Sequence, residues 1–364
     1  MNKQDWTYKK LGEVATIVGG STPKSNIEEY WGGTNYWVTP ADLNGNKYQG
    51  ATPRTITDLA VQKTNLQLLP TGTVLLSSRA PIGKVAITTV PMYCNQGFKN
   101  IICSNLLLNE FVYWYLLGKV DYLNSLGRGA TFKEISKRTT EQIPIPVPPI
   151  EEQERIVAEL DLLQGIIEKK KEQLKAYDQL AQSIFYTMFG DPIDNPKGWE
   201  VNKLGEVYKL KSGDGLSAKQ FIEGQYPVYG GNGISGYHSS FNMDGDYIII
   251  GRVGAYCGNV RFVSGKFWLT DNAFQLIYDE KEQHPVFIKH LLTVLDLHQY
   301  ANHAAQPVIS NITLKEVKVL FPPLSLQEEF AEKVEAIERQ KALVQQSIDE
   351  VQTMFDCTMD KYFG

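Results

Sequence analysis

The sequence contains two copies of one long pattern, and this duplication constrains the fold more than any other feature. The segment 143–154 recurs as 317–328, 174 residues later, and in both copies a Pro-Pro pair precedes a Gln-Glu pair. The same offset relates Phe189-Gly190 to Phe363-Gly364. A repeat of this length predicts two similar structural units within one chain.

A second motif marks the beginning of each copy. Trp6 is followed by Leu11–Val14 (Leu-Gly-Glu-Val), and Trp199 is followed by the same four residues at Leu204–Val207, an offset of 193. Because the two offsets differ, the insertions and deletions fall within the globular parts. The predicted order is module, helix, module, helix, with the boundaries 1–150, 151–190, 191–324 and 325–364.

After each Pro-Pro pair the apolar residues recur with a period of seven, which is typical of a coiled coil. In the first copy the core positions are Ile156, Leu160, Leu163, Ile167, Lys170, Leu174, Tyr177, Ala181, Ile184 and Met188. In the second copy they are Phe330, Val334, Ile337, Lys341, Val344, Ile348, Val351, Phe355, Thr358 and Tyr362. We expect two long antiparallel helices that hold the modules as a pseudo-twofold pair. In the alternative, each helix packs only on its own module.

The modules are rich in short β-type runs that are separated by Gly, Pro, Asn and Asp. The clearest predicted strands are 73–77, 84–88, 246–250 and 259–263, and the predicted helical stretches are 109–117 and 286–296. Together they predict an α+β fold, with a twisted, mostly antiparallel sheet and short helices in each module.

Composition excludes several classes of function. The chain has no apolar run of about 18 residues and no signal-peptide core at its start, so we expect a cytoplasmic protein. Its four cysteines form no C-x-x-C pair, and its five histidines lack zinc-finger spacing. Phosphate-loop and dinucleotide-binding glycine motifs are missing. Glu316-Val317-Lys318 resembles part of a nuclease site, but its repeat counterpart carries no charge. We therefore expect no metal, no cofactor and no catalytic centre.

The net charge of −5 is unevenly distributed along the chain. Residues 1–150 carry +5, residues 151–190 carry −3, residues 191–324 carry −2 and residues 325–364 carry −5. The acidic excess thus lies mainly on the predicted helices. This distribution permits a local DNA-facing patch on the modules, although few phosphates could be neutralised by the chain alone.

Each module has an arginine in the turn between two predicted strands, Arg79 in the first and Arg252 in the second. A guanidinium group matches both phosphate and guanine, so both arginines are candidate DNA contacts. In the alternative interpretation, each arginine pairs with a nearby carboxylate.

Further candidates lie in matching loops. Asn95–Phe98 aligns with Asp271–Phe274, and the amides there either read adenine or close turns. The stretch 127–133 aligns with the region around His303 and offers groups for phosphates. The loop Tyr229–Asn232 is aromatic and glycine-rich, which favours a ligand-facing role. The remaining candidate DNA contacts are Thr39, Asp42, Lys84, Asn95, Gln96, Arg128, Thr131, Lys133, Tyr229, Asn232, Arg261, Asn272 and Gln306.

Taken together, these features resemble the DNA-specificity subunit of type I restriction–modification systems. The resemblance rests on the module–helix order, the duplicated Pro-Pro-[Ile/Leu]-x-x-Gln-Glu motif, Leu-Gly-Glu-Val, and the Tyr-Gly-Gly-Asn loop. It covers the whole chain, which is short for the family.

The resemblance implies that each module is a target-recognition domain for one half of a bipartite, asymmetric site in double-stranded DNA. It also implies that the helices set the spacer and dock two methyltransferase subunits, which motor-nuclease subunits then join. An alternative function is a tandem scaffold that binds protein or carbohydrate without DNA specificity. A nuclease in its own right is a third possibility.

Overall fold

The computed structural model describes residues 6–129, 133–302 and 306–364. The chain separates into two compact units, one of Met1–Lys169 with Ser347–Gly364 and the other of Lys170–Gln346. Each unit combines one sheet-rich module with parts of two long helices. The predicted α+β class is confirmed.

The first module is built from short strands and helices that follow one another closely. Its elements are β1 (Thr7–Lys10), α1 (Leu11–Val14), β2 (Ala15–Gly19), β3 (Trp31–Val38), β4 (Tyr48–Gln49), β5 (Thr55–Ile56), α2 (Asp58–Lys63), β6 (Val74–Leu76), β7 (Val85–Thr88), β8 (Tyr93–Cys94), β9 (Lys99–Cys103), α3 (Asn109–Leu117), α4 (Val120–Leu126), α5 (Lys137–Glu141) and β10 (Pro144–Val147). The strands form sheets in the orders β2-β9-β6-β7-β4, β5-β3-β8 and β1-β10. Most pairs are antiparallel, while β4 with β7 and β3 with β8 are parallel.

The second module repeats this plan with longer strands. Its elements are β11 (Glu200–Lys203), α7 (Leu204–Val207), β12 (Lys209–Ser212), β13 (Tyr226–Gly230), β14 (Gly233–His238), β15 (Met243–Gly251), β16 (Val260–Leu269), β17 (Ala273–Ile277), α8 (Pro285–Val294), α9 (Asn311–Lys315) and β18 (Lys318–Phe321). The main sheet has the order β12-β17-β15-β16-β13-β14, and only β13 with β16 is parallel in it. The predicted strands and helices named above correspond to β6, β7, β15, β16, α3 and α8.

The repeated Leu-Gly-Glu-Val motif has the same packing role in both modules. Its leucine is fully buried in each copy. A Cβ atom on Gly12 would lie 2.9 Å from Cβ of Glu141, and one on Gly205 would lie 2.7 Å from Cβ of Lys315. Glycine is therefore required for α1 to approach α5, and for α7 to approach α9.

Two helices of 40 residues each, α6 (Ile150–Phe189) and α10 (Leu324–Phe363), follow the modules. At 1.5 Å per residue each is about 60 Å long. All twenty predicted core positions are buried or half-buried, while most of the positions between them are exposed. The period of seven therefore marks the buried seam of both helices, as predicted.

Within each unit, segments of both helices pack together and on the module. In the first unit, Phe363 of α10 contacts Phe111 of α3, with ring centroids 5.5 Å apart. In the second unit, Phe189 packs on Phe330 near the beginning of α10, and Asp178, further back on α6, bonds to Lys341, further along α10. The pairing in the second unit is therefore antiparallel.

Lys341 is a charged residue on the buried seam of α10. Its ammonium donates to Asp178 at 2.7 Å and to Glu338 at 3.0 Å. Burial opposes the charge, but these two bonds raise the pKa of Lys341 above its ordinary value. The lysine therefore stays protonated at neutral pH in the folded protein.

Lys341→Met is expected to change the free energy of unfolding by at most about 1 kcal/mol, because both carboxylates are exposed and the new side chain buries apolar surface. Thermal unfolding measures the difference, with Lys333→Met at an exposed pair on the same helix as the control. A loss of more than about 2 kcal/mol would mean that the ion pairs hold the helices in register.

Across the described ranges, none of the helices combines the length and apolar character that crossing a bilayer requires.

Candidate nucleic-acid interface

Backbone hydrogen bonds show which turn residues are equivalent in the two modules. The N–H of Ile135 donates to the carbonyl of Ser78 at 2.9 Å, and the N–H of Ile309 donates to the carbonyl of Arg252 at 2.9 Å. Ile135 and Ile309 are themselves related by the repeat offset of 174. Arg252 therefore occupies the backbone position of Ser78.

Arg79 and Arg252, which lie in corresponding turns, are thus one position apart. Arg79 pairs with Glu134 across an antiparallel bridge, and the corresponding bridge in the second module joins Val253 to Val308. The hydrogen-bonded register fixes the equivalent positions, and it agrees with the repeat offset of 174.

The expected alignment of Asn95–Phe98 with Asp271–Phe274 is also shifted by one residue. Asn95 Oδ1 accepts the N–H of Gly97 at 2.9 Å, and Thr270 Oγ1 accepts the N–H of Asn272 at 3.3 Å. Asn95 therefore matches Thr270, and its side chain closes a turn in the structure.

The loop after β3 of the first module is tied together by three predicted contact residues. Thr39 donates through its N–H and hydroxyl to Asp42 Oδ2, at 2.7 and 2.8 Å. The Lys84 ammonium donates to the carbonyls of Pro40 and Leu43, at 3.0 and 2.9 Å. These bonds shape the loop, and DNA contact by these three residues stays a prediction.

A group of charged residues surrounds the β6–β7 turn of the first module. Arg79 Nε donates to Glu134 Oε2 at 2.9 Å, and Lys99 Nζ donates to Glu134 Oε1 at 3.1 Å. Arg128 pairs with Glu134 on the opposite side through the backbone, and its side chain is exposed, as is that of Lys133. Three predicted contacts, Arg79, Arg128 and Lys133, are therefore brought together.

Gln96 lies at the neighbouring turn, where its side-chain oxygen accepts the hydroxyl of Thr22. Thr131, also predicted to contact DNA, lies outside the described residues.

The second module has a pocket of about 500 Å³ at the corresponding loops. Asn232, Asn272 and Gln306, three predicted contacts, line it together with Thr270 and Phe221. Among the described residues, its lining contains no Asp, Glu, Lys or Arg side chain. Such a surface offers hydrogen-bond donors and acceptors without a net charge.

Glycines allow the two loops of this pocket to touch. A Cβ atom on Gly231 would lie 2.1 Å from the carbonyl oxygen of Val253, so no other residue fits there without moving the backbone. Arg261 reaches the loop from β16 and donates to the carbonyl of Asn232 at 3.3 Å. Tyr229 packs edge-on against Phe267 at 5.4 Å between ring centroids.

Arg252 turns toward the module instead of the pocket. Its guanidinium lies 5.3 Å from the centre of the Phe274 ring and donates to the carbonyl of Asp271 at 3.4 Å. Its Nε is buried and has no hydrogen-bond partner among the described residues. These contacts with Phe274 and Asp271 hold the Arg252 side chain against the module, next to the β15–β16 turn.

Sequence reasoning missed Lys99 and Glu134. Their signal was weak, because neither residue has a charged counterpart in the repeat. Glu134 does precede Ile135, which recurs as Ile309 in the second copy of the repeat.

Two α+β modules, each followed by a long helix and each with polar loops at equivalent strand ends, define a class of tandem recognition proteins. The chain belongs to the family of the type I restriction modification DNA specificity domain, whose family model matches residues 3–176 and 196–353. The resemblance seen in the sequence is confirmed.

Relatives with similar sequences agree with this assignment. The type I restriction enzyme MjaIX specificity subunit of Methanocaldococcus jannaschii is 38% identical over 236 residues, covering 60% of this chain and 55% of the relative. The EcoprrI specificity subunit of Escherichia coli is 29% identical over 339 residues, covering 87% and 84%. The chain thus spans about half the length of the first relative and most of the second.

The crystal structure of the type I restriction–modification S subunit from M. genitalium has a similar fold. It matches with a TM-score of 0.60 at 18% identity, covering 99% of this chain and 96% of that chain.

Proposed function

We propose that this chain is the DNA-specificity subunit of a type I restriction–modification complex, in which each module reads one half of a bipartite, asymmetric target. The observation that carries this proposal is the pair of equivalent loop sites. Both lie at the same hydrogen-bonded backbone positions, but they present different polar side chains. Two sites with the same backbone framework but different polar side chains suit the recognition of two different half-sites.

The catalytic steps belong to partners in this proposal. Two methyltransferase subunits dock on the helices and transfer methyl groups to adenines, and motor-nuclease subunits join that core. Large apolar side chains on the outer faces of the helices support such docking, because Leu162, Leu343 and Met354 are each about 60% exposed. Partners would also supply phosphate contacts that an acidic chain lacks.

The candidate DNA contacts remain proposals and fall into two groups, the side chains that we expect to contact DNA and the side chains that hold the loops in shape. Arg79, Arg128, Lys133 and Gln96 are the candidates in the first module, and Asn232, Asn272 and Gln306 are those in the second. The other candidates shape these loops: Thr39, Asp42, Lys84, Asn95, Tyr229, Arg252 and Arg261.

Co-expression with type I methyltransferase subunits in a host lacking this system tests the proposal. Mapping methyl-adenine across the host DNA is expected to reveal one split motif with a gap of constant length. A stable complex that adds no methylation would contradict the proposal.

Gly231→Ala is expected to disrupt the half-site read by the second module, because the added methyl group forces the Asn232 loop away from Val253. Methyl-adenine mapping should show relaxed bases in that half and an unchanged other half. Gly215→Ala is the matched control, since its Cβ would meet only Asp271 Oδ2, at 3.9 Å. If both variants keep the wild-type motif, the pocket does not read DNA.

A further inference from the structure

Arg79 is the exposed end of a chain of polar contacts that leads into the first module. Lys99 Nζ donates to Ser78 Oγ at 3.2 Å and to Glu134 at 3.1 Å, and Glu134 accepts Arg79 Nε at 2.9 Å. Exposure of the side chains rises along this series, from 12% for Lys99 through 34% for Glu134 to 44% for Arg79. The arginine is therefore fixed at its inner end and open at its outer end.

Glu134 remains ionised in this arrangement. Burial alone would raise its pKa, but the hydrogen bonds from Lys99 and Arg79 outweigh that effect and hold the pKa below its ordinary value. A carboxylate with a lowered folded-state pKa holds its partners at neutral pH and releases them only as the pH falls through that pKa.

An arginine held through Nε keeps its planar fork in one orientation, and less conformational entropy is then lost on binding. Guanine presents two acceptors, N7 and O6, that match the two terminal nitrogens of such a fork. Phosphate matches the fork too, but the Glu134 carboxylate neutralises part of the charge at Arg79. The exposed Arg128 and Lys133 are better suited to phosphate, which leaves the fixed fork of Arg79 for a base edge.

Among the residues that the structure describes, the second module has no equivalent of this arrangement. Bridge partners and hydrogen bonds place Val253 at the position of Arg79 and Val308 at that of Glu134. The polar side chains of the corresponding pocket are amides and hydroxyls instead. The two modules therefore differ in the bases that they can recognise at this position.

We propose that Arg79, oriented by Glu134 and Lys99, reads a guanine in the half-site of the first module, and that the second module reads its half-site without an arginine at this position. The inference rests on the proposed function. Arg79 is the base-reading residue, and Glu134 and Lys99 are positioning residues.

Methyl-adenine mapping after co-expression with the methyltransferase subunits tests this inference through Arg79→Lys. Lysine keeps the charge but loses the planar fork. Discrimination at one G·C pair of one half-site is expected to fall about 5- to 150-fold, while every other position is unchanged. Arg138→Lys, an exposed arginine on α5 of the same module, is the matched control and should keep the wild-type motif.

Glu134→Gln separates positioning from folding, because glutamine keeps the size of the side chain and one acceptor. Relaxation at the same G·C pair as in Arg79→Lys supports the positioning role. An equal loss of methylation at every site, with thermal unfolding at a lower temperature, would instead assign Glu134 a structural role and overturn that part of the inference.

Two results would overturn the assignment of Arg79. One is an unchanged motif in Arg79→Lys. The other is measured with Arg79→Ala, because lysine would keep a phosphate contact: an equal loss of binding to all sequences, with a salt dependence reduced by about one phosphate contact. In both cases the wild-type chain still directs methylation to a split motif, so the proposed function survives. If the wild-type chain directs no methylation, the proposed function fails, and the inference fails with it.

Discussion

Phe330→Ala is expected to destabilise the second unit by about 3–5 kcal/mol, which is the typical cost of removing a buried aromatic ring. Phe330 is fully buried at the beginning of α10. Its ring centroid lies 5.4 Å from that of Phe189 and 5.2 Å from that of His290. The substitution therefore leaves a cavity where α6, α8 and α10 meet.

The surroundings of Phe330 cannot easily rearrange to fill that cavity. His290 is held by a 2.8 Å contact between its Nδ1 and the carbonyl of Val286, and burial lowers the pKa of His290 to about 4. A neutral histidine is thus part of the apolar core, and water entering the cavity would meet mainly aromatic walls. Alanine favours helix slightly more than phenylalanine, so the loss arises from packing.

Amide hydrogen exchange measures the effect unit by unit, which matters because a chain of two units need not unfold in one step. Protection should fall for the core amides between residues 170 and 346. Leu343→Ala on the same helix is the control, since Leu343 is 60% exposed and should change stability by less than about 1 kcal/mol. Equal protection in Phe330→Ala and Leu343→Ala would show that the aromatic cluster does not determine the stability of this unit.

Gln153→Glu is expected to destabilise the first unit by about 2–4 kcal/mol at neutral pH. Gln153 is fully buried, accepts the N–H of Leu108 at 2.8 Å, and donates to the carbonyls of Leu106 and Pro148 at 2.8 and 2.9 Å. A glutamate keeps the acceptor, but it places a buried negative charge against two carbonyl oxygens.

The loss should shrink as the pH falls, because a protonated glutamate can again donate to one carbonyl. Burial raises the folded-state pKa of such a carboxyl above its unfolded value, so the destabilisation is full above the folded pKa and is relieved below the unfolded pKa. Unfolding measured at pH 7 and pH 4, relative to wild type, tests this sign. Gln62→Glu, at an exposed position on α2, is the control. A penalty independent of pH would contradict the proposed geometry.

The second unit has the same set of three hydrogen bonds around a buried glutamine. Gln327 accepts the N–H of His284 at 2.9 Å and donates to the carbonyls of Glu282 and Pro322, at 3.3 and 2.8 Å. The duplicated Pro-Pro-x-x-x-Gln pattern is therefore explained as a device that fixes the beginning of each long helix to its module.

The parts of the fold that could be predicted are those with a regular physical signal. The period of seven identified the buried seam of α6 and α10, because a helix buries one face at that spacing. The exact offset of 174 predicted equivalent positions, such as Ile135 and Ile309. Short β-type runs separated by Gly, Pro, Asn and Asp indicated β6, β7, β15 and β16.

The candidate sites were less predictable, because loops of unequal length break the sequence register. The offset of 174 places Arg252 at Ser78, although the shared residue type suggests Arg79. One additional residue later in the second module's turn raises the offset to 175, which places Thr270 at Asn95, and no periodic pattern reveals such a shift. Partners such as Glu134 for Arg79 are also invisible in the sequence, since they depend on which loops the sheets bring together. Gln153 was noticed as a repeated residue, but its burial and three hydrogen bonds follow only from the folded chain.

The most direct test of the central claim is selection from a random double-stranded DNA library by the purified complex of this chain with methyltransferase subunits. The account predicts that selected sequences share two defined blocks separated by a gap of constant length. It also predicts that Gly231→Ala relaxes the bases of one block and that Arg79→Lys relaxes one G·C pair of the other. Selection of a single uninterrupted block, or no selection at all by an intact complex, would contradict it.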